Sequence, residues 1–165
     1  MSQLRDADQL RQVKAAALRL LGRRARTVAD LRKRLQQKGK YADHTIAEVV
    51  AWLTDQGYLD DARYAMERVS GLLRDKRMGR AGLVARLVSE GVERALAEDI
   101  VANAVGARDE DQWAREVAQQ RADRMQGKDW QAVKRSVYAY LQRRGFDSEQ
   151  IWAAIESIEP ADEVF

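Results

Sequence analysis

Asp60 and Asp61 stand side by side in the stretch DQGYLDDARYA, residues 55–65. Paired carboxylates of this kind can divide general acid and general base work, provided a pocket and a proton partner pull their pKa values apart. Nothing near them in sequence supplies either. The single histidine, His44, has no second histidine and no cysteine to join in a triad or a metal set. Neither a G-x-x-x-x-G-K-[ST] nor a G-x-G-x-x-G stretch is present to cradle a phosphate. The aspartates read better as helix punctuation. Gly57 closes one helix, Tyr58 and Leu59 fold back on its last turn, and Asp60 or Asp61 caps the next, where an N-terminal N–H lacks a partner and the dipole favours a negative charge. The expectation is a protein that is not an enzyme and uses no cofactor or metal.

The elements around this stretch are helical. Proline, which breaks helix interiors, occurs once in 165 residues, at Pro160. Apolar residues at helical spacing predict nine helices, over 8–21, 28–38, 43–56, 60–74, 80–90, 94–105, 109–125, 129–144 and 148–158. Eight of the ten glycines fall at the joints between them, where the left-handed conformation closes a helix; Gly71 and Gly82 fall inside. Thr27 in TVAD and the DED of residues 109–111 are further helix starts. The four tryptophans are expected to pack in cores or between repeats.

The stretches LRKRLQQKG, LVARLVSEG and VYAYLQRRG share an apolar residue, a leucine four positions on, and a glycine four beyond that. Their glycines, Gly39, Gly91 and Gly145, recur at intervals of 52 and 54 residues. The expected fold is all-α: three tandem three-helix repeats stacked into an elongated, curved molecule. The repeats are placed at 1–59, 60–107 and 108–158, with a C-terminal tail at 159–165.

With no cysteine, the chain has no disulfide framework and fits a reducing, cytoplasmic setting. The opening MSQLRDADQLRQ lacks the apolar core of a secretory signal, and no run is long and apolar enough to span a membrane. Charge is unevenly spread. Cations outnumber anions twelve to five in residues 1–50, match them nine to nine in 51–108, and fall behind eight to twelve in 109–165. The front of the chain therefore suits an anionic partner. Two clusters carry that expectation: Arg23, Arg24, Arg26, Arg32, Lys33 and Lys38, and then Arg74, Lys76, Arg77 and Arg80. Arginine grips phosphate or carboxylate bidentately, and such a surface is salt-sensitive and blind to base sequence.

RTVADLRKRLQQKG, VVAWLTDQGYLDDARYA, RDKRMGRAGLVARLVSEGV and VYAYLQRRGFDSEQI resemble the RecX family, the regulators of RecA recombinase, over roughly residues 10–158. The most specific match is Gly57–Asp61 with Arg63 and Ala65, followed by the basic joint at Gly79 and by Leu87–Gly91. The resemblance implies a non-catalytic inhibitor that binds the groove of the RecA–DNA filament. It would limit filament growth and suppress ATPase, strand exchange and co-protease activity. The ten cations become contacts with filament or DNA. A monomer with weak direct DNA binding is expected. The residues alone also leave open a direct DNA-binding helical regulator or a helical-repeat adaptor for another protein.

Overall fold

The computed structural model describes residues 2–37, 40–75, 78–106 and 109–158. Among them are nine α-helices and no strand: α1 Ser2–Leu21, α2 Val28–Gln36, α3 Asp43–Asp55, α4 Asp61–Asp75, α5 Arg80–Ser89, α6 Arg94–Val105, α7 Glu110–Asp123, α8 Trp130–Gln142 and α9 Ser148–Ser157. The all-α repeat fold follows the sequence pattern, and eight helices start and stop within two residues of the expected limits. The exception is α1, which begins at Ser2 rather than residue 8. The tail at 159–165 lies outside the described residues.

The described residues of 2–68 and 87–97 make one compact unit, and those of 69–86 and 98–158 a second. In the first unit, α1 packs on α2 and α3. Val13, Leu31, Leu35, Ile46, Val49, Leu53 and Leu59 fill the space between them and are almost wholly buried. In the second unit, α7, α8 and α9 pack mutually around Trp113, Val137, Leu141, Phe146, Ile151 and Ile155. Each such leucine or isoleucine contributes about 1.5–3 kcal/mol by leaving water. The repeated leucine–glycine signature has one local form in two places. The N–H of Val92 donates to the Leu87 carbonyl at 3.1 Å, and that of Phe146 to the Leu141 carbonyl at 3.3 Å. Gly91 and Gly145 between them are left-handed, at φ +96° and +77°.

Both aspartates of the opening stretch are caps, but of different helices. Asp60 accepts the Arg63 N–H at 2.9 Å at the start of α4. Asp61, half-buried, accepts the Val28 N–H at 2.9 Å and so caps α2, 33 residues earlier. The same division recurs at DED. Asp109 accepts the N–H groups of Asp111 and Gln112 at 3.0 Å, while Glu110 accepts the Arg80 N–H at 2.8 Å and caps α5. Adjacent acids thus start one helix and cap the start of another.

Burial holds the Asp61 carboxyl above its ordinary 3.8, against the Val28 hydrogen bond, and the charge of Asp60 adds to the rise. A carboxylate raised in the fold loses stabilising effect as pH climbs from 3.8 through the raised value. Asp61→Asn keeps the acceptor and removes the buried charge, so its stability near neutral pH stays within about 0.5 kcal/mol of the parent. Asp61→Ala removes the acceptor as well and loses about 1 kcal/mol. Urea unfolding of the two variants checks the difference.

Glycine does its closest work where helix ends cross. In the first unit, the Thr27 hydroxyl accepts the Asp30 N–H at 3.1 Å and donates to the Glu90 carbonyl at 2.8 Å. A Cβ on Gly91 would lie 2.7 Å from that hydroxyl oxygen. In the second unit, the Gly79 N–H donates to the Arg144 carbonyl at 2.8 Å. There a Cβ on Gly82 would lie 2.2 Å from the Arg144 carbonyl oxygen, and one on Gly145 2.1 Å from the Gly82 nitrogen. The expectation that joint glycines are left-handed is corrected at Gly22 and Gly79, which lack a positive φ. Gly79 is there because backbone crowds it: the Gly145 carbonyl oxygen would be 2.8 Å from its Cβ. Gly39 lies outside the described residues.

Trp113 and Trp130 are buried as expected, and Trp52 is half-buried. Trp152 corrects the packing expectation: it is 51% exposed and tilts against Tyr138 at a ring separation of 5.3 Å.

Candidate docking surface

The cationic front is built by the end of α1, the turn after it and the outer face of α2. The α2 stripe Leu31 and Leu35 is buried, which turns Arg32 and Lys33 to the outside. Arg23, Arg24, Arg32 and Lys33 are all exposed. Arg32 and Lys33 line an open depression of about 430 Å³ together with Val28, Ala29, Val92, Asp61 and Glu93. Arg23 borders a smaller hollow of about 140 Å³ together with Arg19, a cation that sequence reasoning passed over although it lies one helical turn before Arg23.

Arg26 belongs to the interior rather than to this surface. Its side chain is 6% exposed. Its Nε donates to the Leu20 carbonyl at 3.1 Å, tying the turn to the end of α1, and its guanidinium pairs with Asp30. Arg34 reaches the same carboxylate at 3.0 Å, and exposed Arg24 stands 3.9 Å from it. Burial alone would push the Asp30 carboxyl up. The hydrogen bonds and charges of Arg26 and Arg34 outweigh burial and hold it below 3.8. The stability this gives is present above 3.8 and is lost as pH falls through the depressed value. Asp30→Asn is therefore expected to be less stable than the parent at neutral pH, with the difference shrinking below pH 3.8. Urea unfolding of both at a series of pH values measures it.

The second cluster is less open. Arg74 is exposed at the last turn of α4. Arg80 is partly committed: its Nε lies 3.7 Å from Glu110 and its terminal nitrogen donates to the Gly106 carbonyl at 3.3 Å. Lys38, Lys76 and Arg77 lie outside the described residues. Sequence reasoning also missed the node at Glu90, whose carboxylate takes a two-pronged pair from Arg68 at 2.7–3.0 Å and the Tyr64 hydroxyl at 3.0 Å. The 22-residue gap between Arg68 and Glu90 leaves no helical spacing to signal it.

His44 is exposed on α3. No group of three or more His, Cys, Asp or Glu residues placed to hold a metal ion occurs among the described residues. No helix among them is long and apolar enough to cross a membrane. What the surface offers is fixed positive charge on rigid helix ends, suited to attracting and orienting an anionic partner.

Comparison with known proteins assigns the fold and the family. The family model described as RecX, first three-helix domain, matches residues 14–62, and that described as RecX, third three-helix domain, matches residues 109–155. The Regulatory protein RecX of Trichlorobacter lovleyi is 35% identical over 140 residues, which cover 82% of this chain and 88% of that protein. That of Deinococcus radiodurans is 33% identical over 150 residues, covering 87% and 67%. The crystal structure of RecX from Lactobacillus salivarius superposes with a TM-score of 0.74 at 20% identity, over 92% of this chain and 97% of that one. The helix triplets, the recurring leucine–glycine closures and these matches over most of the chain agree: it belongs to the RecX family of regulatory proteins.

Proposed function

We propose that the chain is a non-catalytic inhibitor of RecA recombinase that works in the cytoplasm as a monomer and without a cofactor. It binds the groove of the RecA–DNA filament, limits filament growth, and so suppresses ATP hydrolysis, strand exchange and co-protease activity. The observation that carries this reading is family membership across most of the chain. The exposed cations Arg23, Arg24, Arg32, Lys33 and Arg74 support it, because fixed charges steer a protein onto an oppositely charged polymer. Lys38, Lys76, Arg77 and the free part of Arg80 are proposed to extend the contact. Arg26 is left out because its charge is spent on Asp30.

The test is DNA-dependent ATP hydrolysis by RecA. Substoichiometric amounts of the chain are expected to depress it; an unchanged rate at stoichiometric excess contradicts the proposal. The same exposed cations favour a second reading, direct binding to bare DNA. That reading predicts tight binding with a steep salt slope, and negligible binding at low salt removes it.

A further inference from the structure

Two tryptophans of this chain stand in the same kind of setting, and only one setting is filled. In the first unit, Trp52 of α3 tilts against Tyr58 at a ring separation of 6.2 Å. Glu48, four residues before Trp52, and Asp55, three after, are exposed and neighbour it along the helix. The Lys14 ammonium, supplied by α1, lies 4.3 Å from the Trp52 ring centre. An electron-rich ring face with a carboxylate one turn to either side favours a cation in this way. In the second unit, Trp152 of α9 tilts against Tyr138 of α8 at 5.3 Å. Glu149, three residues before Trp152, and Glu156, four after, are exposed and neighbour it in turn. The Tyr138 and Ser148 hydroxyls lie 3.4 Å apart, which sets the second ring beside the start of α9.

What the second setting lacks is the cation. α9 contains no lysine or arginine. On α8, one turn before Tyr138, the Lys134 ammonium lies over the Trp130 ring at 5.6 Å. Among the described residues, no cation of the chain stands over Trp152, and neither Glu149 nor Glu156 enters an ion pair. Trp152 is 51% exposed, so a group from outside can reach its ring. An anion there would be repelled by both glutamates, and a purely apolar occupant would dehydrate them without offering a partner. A lysine or arginine side chain covers the ring with its stem or its guanidinium plane and brings its charge to the carboxylates. We infer that Trp152 and Tyr138, flanked by Glu149 and Glu156, form a receiving site for a lysine or arginine side chain of a partner protein. Its charge preference is the reverse of that of the cations on α1 and α2, and it does not rest on the function proposed for them.

The experiment uses the full chain, without RecA, at low salt. Its net charge of +3 opposes a basic peptide, so binding reports a local site rather than overall attraction. The probes are a short end-blocked peptide with three arginines, its lysine counterpart and its glutamine counterpart. The readout is the nuclear magnetic resonance signal of the Trp152 indole N–H, assigned as the one lost in Trp152→Phe. The arginine or lysine peptide is expected to shift that signal saturably, and the glutamine peptide to leave it in place. Glu149→Gln/Glu156→Gln should weaken the binding about fivefold or more, because two exposed carboxylates are removed from around the cation. Glu48→Gln/Asp55→Asn, around the ring that Lys14 already covers, should keep it. All four positions are exposed, and circular dichroism checks that each variant is folded. Which of the two basic peptides binds more tightly identifies the side chain received. No shift with either basic peptide, an equal shift with the glutamine peptide, or unchanged affinity in Glu149→Gln/Glu156→Gln overturns the inference. A Trp152 signal that moves when the chain alone is concentrated assigns the site to a second copy and overturns it as well. Because RecA is absent, the outcome is independent of whether the chain inhibits the filament.

Discussion

Gly145→Ala is expected to lower the unfolding free energy by about 3–4 kcal/mol, the sum of a left-handed residue given a side chain and a backbone contact forced apart. Gly145 has φ +77°, and the carbon added there would meet the Gly82 nitrogen at 2.1 Å. The atoms the new carbon meets are backbone, which has no flexible end to move aside. Gly82→Ala should suffer nearly as much for the crowding alone, at 2.2 Å from the Arg144 carbonyl oxygen. Gly127→Ala is the control. It shares the positive φ, +79°, but has nothing within 4 Å of the added carbon. It should lose only about 1 kcal/mol. Urea unfolding followed by circular dichroism separates the three; equal losses at Gly145 and Gly127 would mean that the close approach of the first turn of α5 to the turn after α8 is unimportant.

The largest expected functional effect is at the cationic front. Arg23→Glu/Arg32→Glu/Lys33→Glu reverses three exposed charges without touching the Asp30 node. If these residues steer the chain onto the RecA–DNA filament, the concentration needed for half-inhibition of ATP hydrolysis rises about tenfold or more, and the shift shrinks as salt is added. Arg26→Ala should behave differently. It leaves Asp30 with one fewer partner and releases the Leu20 carbonyl, so it costs stability, by about 1–3 kcal/mol, rather than affinity. A variant set in which Arg26→Ala alone weakens inhibition, with the fold intact, would relocate the contact.

Helix positions were legible because each stop has a local chemical mark. Gly57, Gly91 and Gly145 close helices, and Thr27, Asp60 and Asp109 open them through hydrogen bonds spanning two or three residues. The first turn and a half of α1 carries no such mark and no apolar stripe, and it was missed. Side-chain bonds between distant residues were not legible either. Asp61 reaches Val28, Glu110 reaches Arg80, and Arg68 reaches Glu90 across 22 to 33 positions. Local periodicity has no access to such pairs. The same holds for the candidate sites. The cations of α2 could be placed outside once Leu31 and Leu35 were placed inside. Arg26 could not be told from its neighbours, since its burial depends on the α1 carbonyl it meets.

The measurement closest to the central claim is the growth of RecA on a single DNA molecule, watched as lengthening of the filament while the chain is supplied. Slower extension with rising amounts of the chain, relieved in the Arg23→Glu/Arg32→Glu/Lys33→Glu variant, is the predicted result. Extension at the same rate with the chain present in excess over RecA would contradict it.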